Sequence, residues 1–298
     1  MQNQGESAVE RQGRIAQRPA HSDFIIHWTG KDIDSEVGRQ GKAVTYADRC
    51  KIERRITKKY MERLRSILKF GLWMTEQQPG GETPPELAVD SFAMTSFTEL
   101  RLSEVRAHAD KYGRLGIGFK RGFLWERGGL PVWYYPPWAP NCRKALGDMI
   151  PPWPKRGRCF LKPMGPRQRR GYLCYEFYNE SEWRIVHHRD LEKTGLARKP
   201  ECVDGFDDYL AGLRQTASEG EPKRPSFLLP IKSRWFALVI YPNIRVRYRA
   251  QEDQEIGRLL RAAKGDGGLK KPPEGGDTAS YERFVDPIEL HLGNCTNF

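Results

Sequence analysis

The chain has 298 residues, with 50 Lys and Arg against 38 Asp and Glu, a formal net charge of +12 at pH 7. Its 38% hydrophobic and 11% aromatic residues supply a sizeable core, which excludes a wholly disordered or collagen-like chain. The 30% of charged residues and the lack of a bilayer-length apolar run exclude a helical membrane protein, and the excess positive charge points to a polyanionic partner such as nucleic acid.

In chain order, residues 1–20 are polar and aperiodic and read as a frayed tail without the apolar stretch of a secretory signal. Residues 23–30 form a short apolar run ending in Gly30, which predicts a buried strand. Residues 46–70 give the clearest helix. Ile52, Ile56, Tyr60, Leu64 and Leu68 recur every four residues, Gly71 stands at the C-terminal cap, and Lys51, Arg54, Arg55, Lys58, Arg63, Arg65 and Lys69 occupy the other face. A loop follows at 77–88, then a strand at 92–97, a helix at 103–112 closed by Gly113, and strands at 115–119 and 131–135. Residues 136–170 are rich in Pro, Trp and basic side chains and carry few periodic signals. Strands are predicted at 171–178 and 182–188, a helix at 203–217, a strand pair at 235–241 and 244–248 around Pro242-Asn243, and a helix at 251–264. The Gly-, Lys- and Pro-rich stretch 265–280 reads as a mobile linker.

Strands and helices mix without βα alternation, and neither GxGxxG after a strand nor a GxxxxGK[ST] loop is present, so the expected class is α+β. The expected organisation is a tail at 1–20, a single core domain at 21–264 with a basic insertion at about 136–170, and a linker and tail at 265–298. The six cysteines are scattered. The closest two, Cys159 and Cys174, lie 15 residues apart, which argues for a reduced cytoplasmic protein with no structural metal.

Three groups of residues can carry chemistry. His27, on the first strand, reads either as a satisfied core histidine or as a functional group. Glu180 and Glu182 are two apart, so on a strand both would face one side, and one carboxyl would be pushed upward unless Arg184 or Arg189 compensates. Between residues 149 and 175 stand seven cations (Lys155, Arg156, Arg158, Lys162, Arg167, Arg169 and Arg170) and no acid, with Trp133, Tyr134, Tyr135, Trp138 and Trp153 before them or at their start. Cations for phosphates and aromatic faces for bases suit nucleic acid, and a solvated Pro-rich loop would look the same.

The order His27-Trp-Thr29, Leu64-Arg-Ser-Ile-Leu-Lys-Phe-Gly71, Ser96-Phe-Thr-Glu-Leu-Arg-Leu-Ser103, Tyr112-Gly-Arg-Leu-Gly-Ile-Gly-Phe119, Pro131-Val-Trp-Tyr-Tyr135 and Glu180-Ser-Glu-Trp-Arg-Ile185 resembles the AbiGi family of bacterial abortive-infection (phage-resistance) proteins over about residues 24–190. A strand ending in His-x-Thr before this helix is also similar to the start of DarT-type ADP-ribosyltransferase domains. That second resemblance implies a split sheet, NAD as cofactor held by His27 and Thr29, a nicotinamide-stacking aromatic at Phe97 or Tyr112, and Glu182 as the catalytic carboxylate beside Glu180. A carboxylate fixed there would stabilise the positive charge that develops at the ribose C1′ when the nicotinamide bond breaks. The family resemblance implies a role in antiviral defence. It leaves open NAD-dependent ADP-ribosylation of a nucleic acid or protein, or a non-catalytic nucleic-acid-binding antitoxin or repressor with a partner toxin or phage component.

Overall fold

The structure is a computed structural model, and it describes residues 24–39, 45–77, 91–136, 155–164, 180–216, 222–264 and 287–296, together with positions 141, 144, 145 and 148. The tail at 1–20, the strand predicted at 171–178 and the linker at 265–280 lie outside the described residues. The fold is α+β.

The chain opens with strand β1 (Phe24–Thr29), short helix α1 (Lys31–Arg39) and long helix α2 (Tyr46–Phe70). Helix α2 has the predicted bounds. The Thr45 side chain accepts from the Asp48 N–H at its start, and the Gly71 N–H donates to the Ile67 carbonyl at its end. Strands β2 (Leu72–Gln77) and β3 (Phe92–Thr98), helix α3 (Val105–Tyr112), strand β4 (Leu115–Lys120) and one-turn helix α4 (Gly122–Trp125) follow. Then come short strands β5 (Leu130–Pro131), β6 (Trp133–Tyr135) and β7 (Leu161–Pro163), strand β8 (Glu182–Val186), and helices α5 (Arg189–Lys193) and α6 (Phe206–Thr216). Strands β9 (Phe227–Leu229) and β10 (Phe236–Tyr241), helices α7 (Ile244–Glu252) and α8 (Gln254–Ala263), and strand β11 (Ile288–His291) complete it.

Among the described residues, nine strands form one sheet whose main path is β11-β10-β4-β1-β3-β2-β9. Strand β3 is its branch point. Along Met94–Thr98 it pairs with β8, which in turn carries β5. The opposite edge of β3 is shared: Phe92, Ala93 and Met94 pair with β2, and Thr98 pairs with Ile26 of β1. Between these two partners the edge opens into a wedge.

Each face of the sheet has its own core. On one, Ile25, Phe97, Ile117, Phe119, Val239 and Tyr241 pack under α2, α7 and α8. On the other, Ile26, Trp28, Leu238 and Ile240 pack under α3 and the C-terminal turn at Leu292 and Cys295. Glycines in β4 make the second face possible, since a Cβ on Gly118 would stand 2.7 Å from the Leu238 side chain. No helix among the described residues is long and apolar enough to cross a membrane.

Three expectations differ from the structure. Residues 244–248 are helical, because the Asn243 side chain caps α7 by accepting from the Val246 N–H. Its Ile-Arg-Val-Arg-Tyr start alternates like a strand, but the buried pair is Val246 and Ala250, one helical turn apart. The last helix begins at Gln254, where Asp253 caps it. The segment 265–298 is not all linker and tail, because β11 adds to the sheet parallel to β10, and Tyr241 donates to Glu289.

Gly113 turns the chain from α3 into β4 at φ = 115°, and a Cβ there would lie 2.3 Å from the Thr29 carbonyl. Gly113→Ala should therefore lower the unfolding free energy by at least about 1 kcal/mol in urea titration. Gly212→Ala, on an exposed stretch of α6 with open space around the new methyl, should raise it by about 0.5–1 kcal/mol.

Candidate functional site

Register decides where each candidate side chain points. Ile26, Thr98 and Glu182 lie in one row across β1, β3 and β8, and so share a sheet face. His27 is one residue on and faces the other way. Its row continues through Ile117 to Val239, and its ring meets Phe97 edge-on at 5.8 Å. His27 and Glu182 therefore stand on opposite faces of the sheet.

His27 fills the wedge at the branch of β3. Its Nδ1 lies 2.9 Å from the Ser96 carbonyl, which can only accept, so Nδ1 carries the proton. Burial lowers the imidazole pKa, the Ser96 carbonyl opposes that shift, and Arg63 adds to it. Thr29 accepts from Arg63 Nη1 at 2.9 Å, and the same arginine reaches Asp32 at 2.7 Å. Phe97 is buried among Phe119, Phe123 and His27.

Glu180 and Glu182 do come together, but not through strand alternation. Strand β8 starts at Glu182, and Ser181 before it takes φ = 43°, the one positive φ at a non-glycine among the described residues. That kink swings Glu180 to the side of Glu182, and Lys162 of β7 bridges them with 2.6 Å contacts to Glu180 Oε2 and Glu182 Oε2. Glu182 Oε1 accepts from Ser96 Oγ at 2.7 Å and from Arg184 Nε at 2.7 Å, while Arg184 Nη2 reaches Oε2 at 3.2 Å. Glu180 Oε1 accepts from Lys111 Nζ at 2.7 Å and from the Tyr112 hydroxyl. Every oxygen of the two carboxylates is engaged.

Two buried carboxylates with three cations stay ionised. Burial would raise the Glu182 carboxyl, but Arg184 and Lys162 outweigh it and hold the pKa down to about 2. Burial likewise works against the Glu180 anion, and Lys162, Lys111 and Tyr112 bring its pKa below the ordinary value. The sequence left Arg184 or Arg189 to compensate. Arg184 does so, Arg189 stands exposed on α5, and the decisive bridge is Lys162, which composition had grouped with the phosphate-binding cations. Beside the cluster, His108 is buried with Nε2 2.7 Å from Thr98 Oγ1, and burial drives its pKa down to about 4.

The residues that the resemblance assigns to NAD thus fall into two sets. His27 and Phe97 belong to one face. Glu180, Glu182 and Tyr112 belong to the other, with Tyr112 tied to Glu180 and tilted against His108 with ring centres 4.5 Å apart. A ribose against His27 could not reach Glu182 through the sheet, so this set does not fit NAD as one ligand. Of the basic insertion, Arg156 is exposed and Arg158 half-buried, while the Lys155 side chain, Arg167, Arg169 and Arg170 lie outside the described residues.

At the end of β3 and β8 an open cleft of about 460 Å³ is lined by Arg121, Trp125, Tyr134, Trp183, Glu99 and, from the carboxylate cluster, Glu182, among others. Glu99 accepts from Arg121 Nε at 2.7 Å and from Trp183 Nε1 at 2.8 Å. The Glu99 N–H donates to the Ser181 carbonyl, and the Tyr134 hydroxyl accepts from the Glu182 N–H at 3.0 Å. Local sequence gives no sign of this cleft, because its walls come from segments up to 84 residues apart. Compared with protein-family models, with curated proteins and with solved structures, the chain matches none.

Removing Lys162 tests the cluster. Lys162→Met should cost about 3 kcal/mol at neutral pH, the low end for a broken buried ion pair, since Arg184 and Lys111 remain. The folded Glu182 pKa is depressed, so its contribution is present above the unfolded value near 4.5 and is lost as pH falls toward about 2. The gap between wild type and Lys162→Met in chemical denaturation should therefore narrow over that window. His108, also depressed, makes wild-type stability fall as pH drops from about 6.5 to about 4, and His108→Gln should flatten that upper limb.

Proposed function

We propose that this protein is a non-catalytic nucleic-acid-binding protein, an antitoxin or repressor in the antiviral-defence setting that its sequence resembles. The observation that carries this reading is the outer face of α2. Lys51, Arg54, Arg55, Lys58 and Lys69 are exposed there; the first four lie within two turns, and Lys69 follows eleven residues, about three turns, later on the same side. From 51 to 69 this stripe runs about 27 Å at 1.5 Å per residue. Its acidic member is Glu62, 3.8 Å from Lys58.

Helix α7, which meets α2 at Glu53 on the side away from the stripe, carries further exposed groups. Arg245 pairs with Glu53 of α2, and the exposed Arg249 and Tyr248 follow on the same helix. Tyr46, at the start of α2, is 84% exposed. Exposed cations attract phosphates by counterion release, and exposed rings give bases a stacking surface. The net charge of +12 adds long-range attraction for a polyanion. The carboxylates assigned to catalysis have the opposite character, since they are buried and saturated with donors.

The test compares wild type with the triple variant Arg54→Gln, Arg55→Gln, Lys58→Gln. The variant should weaken binding to duplex and single strand alike and should flatten the salt slope by roughly 0.7–0.9 log unit per lost phosphate contact. An unchanged slope would remove α2 from the interface. Incubation with labelled NAD and cell extract supplies the opposing outcome: label transfer by wild type that Glu182→Gln abolishes would replace this reading with NAD-dependent ADP-ribosylation.

A further inference from the structure

The cleft between β8 and α4 has no role in the reading above, yet its chemistry is particular. Trp183 and Tyr134 form part of its walls with Pro131 and Val132, and Trp125 stands at its edge with 66% of its surface exposed. A tryptophan left that bare on a one-turn helix contributes little to the core and leaves an aromatic face to solvent. The turn carrying it is clamped from below, since a Cβ on Gly122 would run into the Trp235 ring at 2.3 Å, and Arg234 covers that ring at 4.6 Å.

The polar part of the cleft is set in advance. Arg121 is oriented by Glu99, which Trp183 also holds, so the guanidinium is fixed beside the aromatic wall rather than swinging in solvent. Ser181 contributes the strained backbone of the floor, and strain of this kind collects at binding sites. Arg121 pairs with Glu99 in the cleft, and below the turn Arg234 pairs with Glu126. An aromatic slot with a fixed arginine suits a flat ring with hydrogen-bond acceptors on its edge.

We propose that this cleft receives one unpaired base of a nucleic-acid strand, stacked on Trp125, with Arg121 beside it. The proposal rests on the nucleic-acid reading and sharpens it. The α2 stripe attracts any phosphate backbone, whereas the cleft discriminates for single strands, because a base inside a duplex keeps its faces covered by its neighbours.

The experiment measures fluorescence anisotropy of a labelled oligothymidylate, alone and in duplex with oligoadenylate, against wild type, Trp125→Ala and Trp125→Phe. Trp125 is exposed, so each variant should keep the wild-type melting curve. Trp125→Ala should weaken single-strand binding about ten-fold, the equivalent of one base–aromatic stack, and leave duplex binding unchanged, while Trp125→Phe should retain most of the single-strand affinity. Unchanged single-strand affinity in Trp125→Ala, or an equal loss on both forms, would overturn the cleft assignment while leaving the α2 reading intact. The triple α2 variant should weaken both forms, so its failure is separable from failure of the cleft. Sedimentation that shows a wild-type dimer and a Trp125→Ala monomer would give the cleft to a second copy of the chain and overturn the proposal. A wild type that binds neither form would overturn both readings.

Discussion

Two carboxylates buried side by side cannot remain ionised unless cations are buried with them, and this constraint shapes one whole face of the molecule. Glu182 and Glu180 lose hydration on entering the interior, a cost of several kcal/mol per ion that only close counter-charges offset. Lys162, Arg184 and Lys111 supply them, and each comes from a different element: β7, β8 and α3. The cluster therefore fastens the segment around β7 and helix α3 onto the sheet. Arg184 adds a second tie, because its guanidinium donates to the Cys159 carbonyl. Non-directional apolar contact lies on either side, with Ile26 and Trp28 toward α3 and Met94, Val186 and Phe160 toward the other end. The charges set the register in which those surfaces meet.

The same arrangement separates architecture from recognition. A carboxylate that accepts from a serine, a lysine and an arginine is a structural anchor, held in place by the donors that would have to leave before a substrate could take their place. His27 has an equally local task. It satisfies the Ser96 carbonyl where β1 and β2 diverge from β3, a backbone group that the ladder cannot reach at that point. The surfaces proposed for recognition are the exposed cations of α2 and the cleft at Trp125.

Much of the framework was legible from local pattern. Helix α2 announces itself through a four-residue apolar recurrence and a terminal glycine, both short-range signals that packing reinforces. Strands β1, β3, β4 and β10 are apolar runs of strand length bounded by turns, and the α+β class follows from them. Helix α7 was hidden because five alternating residues resemble a strand, and a single Asn243 cap decides the matter. Strands β9 and β11 escaped because three or four residues carry too little periodicity, and they exist only because β2 and β10 offer free edges.

The sequence by itself determined the fold class and the long helix with its cationic outer stripe, since both follow from patterns among residues within a few positions of one another; it set two glutamates two apart but not the Ser181 kink and Lys162 bridge that join them. The tertiary structure alone decided what those glutamates do and which side of the sheet each candidate occupies. The side-chain period of a strand is two, so a single position in register places His27 and Glu182 on opposite faces. Lys162 becomes a counter-ion rather than a phosphate contact because β7 docks 20 residues ahead of Glu182 in sequence and 2.6 Å from it in space. Charge, as composition, says how many cations there are. Only their burial separates those that hold the fold from those left to meet a partner.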